Sequence, residues 1–321
     1  MKLQLISDLH LDINRRFPLE LEPQDDDTAV LIAGDTSGTP SEAIKWIRKN
    51  VKRGAVVTGN HICYNNLRRT YASLRRSFQI AFPSDGPVTY LDASCGTVCK
   101  DLGDVLVVGS TLYTDFELKS QYFPDGGVAN NMRAAWSQMN DFNWGYTGKK
   151  RSKQQQSCLF EDGVLGRKYR YEMVRLTPND YLKWHKEARK AMFDCIDANP
   201  GRDIVVLTHY CPSPKCISSN YVSSSVNASY ASDLESEIAK RPQIKLWHCG
   251  HVHHKAHFLI NGCHVLMNPR GYVPYYEYDP TWTPNLFIDT KTWEIEERPY
   301  KGVPKTDKLR QSRLELLFGL V

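Results

Sequence analysis

Five short apolar runs in this 321-residue chain each stop at a residue able to bind a metal ion. Leu3–Ser7 runs into Asp8-Leu9-His10, and Ala29–Ala33 into Gly34-Asp35. Ala55–Val57 stops at Thr58-Gly59-Asn60-His61, Asp203–Thr208 at His209, and Ile244–Cys249 at Gly250-His251-Val252-His253. Runs of this length, bounded by turn residues, read as buried strands. Helical patterns separate them. One starts near Ser41 with Ala43, Ile44, Ile47 and Val51 on one face, and a basic one lies near Leu67–Phe78. Strand, helix, strand, helix predicts an α/β chain whose sheet is joined by helical crossovers. In such folds, sites gather in the loops that follow strand ends.

Asp104–Ser110 reads as a further buried strand. Thr177-Pro178-Asn179-Asp180 has the form of a helix start, with Leu182, Ala188, Met192, Cys195 and Ile196 as the apolar face. A short helix is expected over Ser232–Ala239. Hairpin-like strands are expected over Ala256–Ile260, Cys263–Met267, Leu286–Ile288 and Thr292–Glu296. Residues 116–172 show little periodicity. The stretch after Pro304 is charged, then apolar, and is expected to form a docking helix. The organisation read here is a single domain over 1–304, with a basic insertion at about 143–172 and a tail over 305–321.

Composition excludes several classes. Hydrophobic residues are 41% and charged residues 24%, an ordinary globular balance. No apolar run approaches the ~18 residues of a membrane span. The N-terminus alternates like a strand and lacks a small-residue cleavage site, so a cytoplasmic protein is expected. The nine cysteines include no C-x-x-C pair and read as reduced, mostly buried thiols. Of the net charge of +5, a local +4 sits in Asn143–Glu172. The remainder is nearly neutral, which does not suit a general nucleic-acid binder.

Asp, Asn and His together offer the mixed oxygen and nitrogen donors of a divalent-metal site: manganese foremost, with iron or zinc as alternatives. In extended backbone, residues two apart share a side. Asp8 with His10, and His251 with His253, would then each present two donors, while His254 would point away. Gly250 would permit a sharp exit from its strand.

The ordered set D-x-H, G-D, G-N-H, H and G-H-x-H, carried by Asp8 through His253, resembles the calcineurin-like metallophosphoesterase superfamily. The resemblance implies a β-sandwich of two mixed sheets flanked by α-helices. It implies one metal on Asp8, His10 and His253, a second on Asn60, His209 and His251, and Asp35 bridging both. His61 would approach the leaving-group oxygen rather than bind metal. Two cations about 3.5–4 Å apart can hold a bridging hydroxide as nucleophile and neutralise phosphate oxygens. Two departures stand out. Ile62 occupies the place where the family often has Glu, which leaves the support of His61 open. Gly34-Asp35-Thr36-Ser37-Gly38 also lacks the continuation typical of protein serine/threonine phosphatases. TLYTDF (Thr111–Phe116), MNDF (Met139–Phe142) and NPRGY (Asn268–Tyr272) are similar to segments of a bacterial and phage branch of small phosphohydrolases. Arg270 is a candidate to grip a phosphate bidentately through an exposed guanidinium. The basic insertion is either a solvated surface loop or a lid bringing cations to an anionic substrate.

The expected function is metal-dependent hydrolysis of a phosphomonoester or phosphodiester, nucleotide-like, with no membrane partner. A nuclease is the alternative, with nucleic acid the less favoured partner. A non-enzymatic scaffold comes third, because every ligand position is retained.

Overall fold

The structure is a computed structural model, and it describes residues 1–64, 69–119, 127–159 and 165–300. In chain order, β1 is Lys2–Ile6, β2 Thr28–Ala33, α1 Pro40–Asn50, β3 Gly54–Val57, α2 Tyr71–Ala81, β4 Val88–Tyr90, β5 Cys99–Asp101 and β6 Leu106–Ser110. Then come α3 Val128–Gln138, α4 Asp141–Trp144, β7 Tyr146–Leu159, β8 Leu165–Arg175, α5 Pro178–Asp197 and β9 Ile204–Thr208. The remainder comprises α6 Glu235–Ala239, β10 Ile244–Cys249, β11 Ala256–Ile260, β12 Cys263–Met267, β13 Leu286–Asp289 and β14 Ile295–Glu297.

Two six-stranded mixed sheets result. One runs β14-β13-β1-β2-β3-β4 and the other β11-β12-β10-β9-β6-β5. β1, β2, β3 and the edge strand β4 are mutually parallel, as are β6, β9, β10 and β12. Antiparallel strands close the sheets through the β1–β13, β13–β14, β11–β12 and β5–β6 pairings.

The unbroken apolar strands follow from burial on both faces. In β2, Ala29, Leu31 and Ala33 join one cluster with Leu3, Leu5, Val205, Leu207 and Leu246 from both sheets; this is the core between them. The alternate residues Val30 and Ile32 face outward into a second cluster with Ala43 and Ile47 of α1 and Leu74 and Phe78 of α2. Each fully buried Leu or Ile side chain contributes roughly 1.5–3 kcal/mol. The helices therefore cover surfaces the strands would otherwise expose.

Helix starts follow local chemistry. The Thr70 hydroxyl accepts from Ser73 N at 3.2 Å ahead of α2. Ahead of α5, the Asp180 carboxylate accepts from Thr177 N at 2.8 Å and from its hydroxyl at 2.7 Å. Caps of this kind are worth about 1 kcal/mol. The buried face of α5 is Tyr181, His185, Ala188, Met192, Phe193 and Ile196, with Leu182 and Cys195 only half-buried.

Residues 116–172 hold more order than their weak periodicity suggests. Helix α3 lies there, and β7 and β8 form a two-stranded antiparallel ribbon of their own. The sequence of β7 is polar in most positions, so it lacks the apolar alternation that announces a half-buried strand; in β8 that alternation is confined to Tyr169, Tyr171 and Met173. The docking helix expected after Pro304 falls outside the described residues. Among the described residues, eight cysteines are free and five of these are buried. Among the same residues, no helix is long and apolar enough to cross a membrane.

Candidate metal centre

β1, β2, β3, β9 and β10 all point their C-terminal ends to one rim, three from one sheet and two from the other. The loops beyond them bring Asp8, His10, Asp35, Asn60, His61, His209, His251 and His253 together. Three groups of donor atoms lie within 4.8 Å of one another: Asp8 with His10 and His253, His10 with Asp35 and His61, and Asp8 with Asp35 and His209. Asp35 thus belongs to the second and third groups, and Asp8 to the first and third.

The pairs do not converge by the extended-strand rule. Asp8, His10, Asp35 and His251 all have positive φ, at 50°, 42°, 46° and 71°. These are left-handed turns, costing roughly 1–2 kcal/mol per residue. Polar contacts hold them. Asp8 N donates to Gly34 O at 3.1 Å and His10 N to Asp35 O at 3.0 Å. His251 N donates to the Asp8 carboxylate at 3.0 Å. Gly250 also has a different reason than a sharp exit. Its φ is not in the left-handed range, but a Cβ there would sit 2.3 Å from Asp8 Oδ2. His254 is exposed and belongs to none of the donor groups.

Electrostatics separate the two carboxylates. Burial raises Asp8, against the pull of His209 and His253. Burial would also raise Asp35, but the charges of His209 and His61 hold it well below the usual carboxylate range. Burial opposes a proton on His209, yet Asp35, by charge and hydrogen bond, lifts it to about 9. His209 Nε2 lies 3.2 Å from Asp35 Oδ2 and 3.0 Å from Asn60 Oδ1, while its Nδ1 faces Ala33 O at 2.8 Å. Burial drives His10 and His251 well below their ordinary value, helped by His61 at His10 and by His209 at His251. Both are therefore neutral imidazoles with lone pairs to offer, the form a metal requires.

The donor set fits divalent cations on its own geometry. His10 Nε2 and His253 Nε2 face each other at 3.0 Å. Two imidazole nitrogens meet this closely only with a proton or a cation between them. His251 Nε2 is buried with no hydrogen-bond partner, an arrangement that is costly unless something else binds it. His253 Nδ1 meets Glu277 Oε1 at 3.0 Å, which orients the ring as metal-bound histidines usually are.

His61 sits beside this set. Its ring stacks on Tyr64 at 4.0 Å, and its Nε2 is 3.0 Å from the Tyr272 hydroxyl. Tyr64 OH donates to Asp141 Oδ2 at 3.1 Å, and Tyr181 OH donates to Asp141 Oδ1 at 2.7 Å. Tyr64 and Tyr272 therefore hold the ring where Ile62 leaves it unsupported. A cavity of about 390 Å³ opens over Asp35, Asn60, His61, His251 and His253.

Arg270 needs correction. It is 4% exposed, not free in solvent. Its guanidinium donates to Phe17 O and lies 5.5 Å over the Trp282 ring. It does not line the cavity; Tyr272, two residues on, does. Between them Gly271 has φ 71°, and this left-handed turn sends the two side chains to different places. The strand-end rule applied to β12 could have found Tyr272. Asp141 lies in the MNDF segment that the sequence singles out without a role, and Tyr64 and Glu277 carry no comparable signal.

A family model for calcineurin-like phosphoesterases matches residues 1–255. An uncharacterized protein of Acanthamoeba polyphaga mimivirus is 21% identical over 294 residues, covering 84% of this chain and 91% of that protein. Among solved structures, phosphopantetheinyl hydrolase from Mycobacterium tuberculosis superposes with a TM-score of 0.60 at 16% identity, covering 84% of this chain and 89% of that one. A putative 5'-nucleotidase from Staphylococcus aureus gives a TM-score of 0.44 at 13% identity, over 99% of this chain and 58% of that one.

Proposed function

The chain belongs to the calcineurin-like phosphoesterase family, hydrolases that work with divalent metals at a binuclear site, and from that premise we propose that it cleaves a phosphomonoester or phosphodiester of a small, nucleotide-like substrate. The observation that carries this is the convergence of seven oxygen and nitrogen donors from five strand ends on one rim, with His10 and His253 nitrogens 3.0 Å apart.

Asp8, His10 and His253 would hold one cation, Asn60, His209 and His251 the other, and Asp35 both. What supports the bridging place of Asp35 is that its carboxylate lies within 4.8 Å of donors assigned to both cations, His10 and Asp8 for one and His209 for the other. When bound, the cations would lower the pKa of the attacking water and neutralise phosphate oxygens. His61 would donate a proton to the leaving oxygen or stabilise its charge. Tyr272 and Tyr64 orient its ring, and Asp141 fixes Tyr64. Glu277 keeps His253 directed inward. Manganese is the metal proposed first, because carboxylate and amide oxygens stand beside the imidazoles.

The test combines metal analysis with turnover of p-nitrophenyl phosphate, bis-p-nitrophenyl phosphate, nucleotides and single-stranded DNA. Two metals per chain with turnover of at least one small ester is expected. A metal-loaded preparation inert toward all of them would refute the proposal. Preference for single-stranded DNA would favour the nuclease.

A further inference from the structure

A second cavity, about 290 Å³, adjoins the metal centre. Tyr230, His251, His253 and Glu277 line both cavities, so the two share a wall. The far side of the second is built from Ile217, Tyr221, Asn227, Val252 and His254. Tyr230 packs its ring 4.8 Å from that of His251, which places an aromatic face beside the metal centre. Tyr221, on the wall of this cavity, is 57% exposed, so its ring is open to a ligand. Asn227 holds this segment in place, donating to Tyr221 O at 2.7 Å.

Charge adds a second constraint. Among the described residues, neither cavity has a Lys or Arg in its lining. The acid they share is Glu277, whose side chain is 51% exposed. Among the described residues, a second phosphate lodged there would meet the Glu277 carboxylate and no guanidinium or ammonium group. A flat uncharged ring would instead meet tyrosine faces and lose little hydration.

We propose that this second cavity is the subsite for the organic group of the substrate, and that this group is an uncharged ring carried on a single phosphate. The inference rests on the phosphoester-hydrolase reading of the adjoining centre. It goes further by assigning a place and a chemical class to the part of the substrate that does not react. Nucleoside monophosphates and aryl phosphoesters fit it; nucleoside triphosphates and polynucleotides do not.

The experiment measures binding of phenylphosphonate and methylphosphonate to the manganese-loaded protein by calorimetry. Both carry one phosphonyl group and neither is hydrolysed. Stacking of a ring on an aromatic side chain predicts roughly tenfold tighter binding of the phenyl compound. Tyr221→Ala should shrink that ratio towards one, and Tyr221→Phe should keep it. At matched free metal, a nucleoside monophosphate should compete at least as well as the triphosphate. Equal binding of the two phosphonates, with ester turnover intact, would overturn the subsite alone. So would a ratio unchanged in Tyr221→Ala, or stronger competition by the triphosphate. Failure of both phosphonates to bind, with no turnover of any ester, would overturn the subsite together with the hydrolase reading beneath it.

Discussion

Gly59→Ala is the most searching perturbation of this centre. The Gly59 backbone is not in the left-handed range, so alanine meets no conformational penalty there. The obstacle is contact. A Cβ at 59 would lie 1.9 Å from Asp35 Oδ1, 2.4 Å from its Cγ and 2.8 Å from His209 Nε2. Ordinary contact begins near 3.4 Å, so the Asp35 carboxylate must retreat by about 1.5 Å. That carboxylate is buried and also accepts from His61 N at 3.1 Å. Metal–ligand distances tolerate about 0.2 Å. Misplacing a reacting group by 1 Å can cost on the order of 10²-fold in rate. We therefore expect loss of at least one equivalent of metal and a fall in kcat/KM of about 10²-fold or more. Overpacking should cost the fold only about 1–3 kcal/mol, a drop of a few degrees in Tm. Metal-to-protein ratio, steady-state kinetics and a thermal melt of the metal-free protein measure the three effects separately. A variant with full metal content and kcat/KM within about threefold of the parent would refute the reasoning.

Four further outcomes are expected. His61→Ala should retain metal and lose about 10²–10⁴-fold in kcat, least for esters with good leaving groups, which a comparison of p-nitrophenyl and alkyl phosphates would show. Tyr272→Phe removes the hydroxyl 3.0 Å from His61 Nε2 and should lower kcat roughly two- to tenfold with metal content unchanged. Arg270→Ala should cost about 1–3 kcal/mol of stability in denaturant titration and leave KM unchanged, because the guanidinium is buried against Phe17 and Trp282; a raised KM with unaltered stability would return Arg270 to the substrate. Changing Lys149, Lys150, Arg151 and Lys153 to Gln should leave KM for single-phosphate esters unchanged, while a rise for every anionic substrate would identify the β7–β8 ribbon as a lid.

Legibility tracked burial. β2 and β9 were readable because both faces of each are covered, which makes the run apolar throughout. β4 and β5 span three residues each, too few to show a period. α3 starts after Gly127 with no side-chain cap, and β7 pairs with β8 through backbone that its own polar sequence does not advertise. Within the site, the structure brings the strand-end Asp, Asn and His residues together, but not through the period-two alternation the sequence suggests. Asp8 and His10 sit in left-handed turns, not in extended strand, so alternation did not aim them. At the end of β12 the sequence points to Arg270, but the left-handed turn at Gly271 leaves Arg270 buried and places Tyr272 on the cavity wall.

The sequence by itself determined which residue types lie at which strand ends, since apolar runs and the polar residues that stop them are local facts. That was enough for the α/β class, for the family resemblance and for the chemical kind of the site. Only the tertiary structure decided which of those ends face each other. β1, β2 and β3 belong to one sheet and β9 and β10 to the other, and the rim they share exists because Leu3, Leu31, Val205 and Leu246 bury one sheet against the other. The supports of His61, the burial of Arg270 and the tyrosine-walled second cavity depend on contacts between segments far apart in the chain: 211 positions for Tyr272 and His61, and 253 for Arg270 and Phe17. Such contacts follow from packing, and no local pattern encodes them.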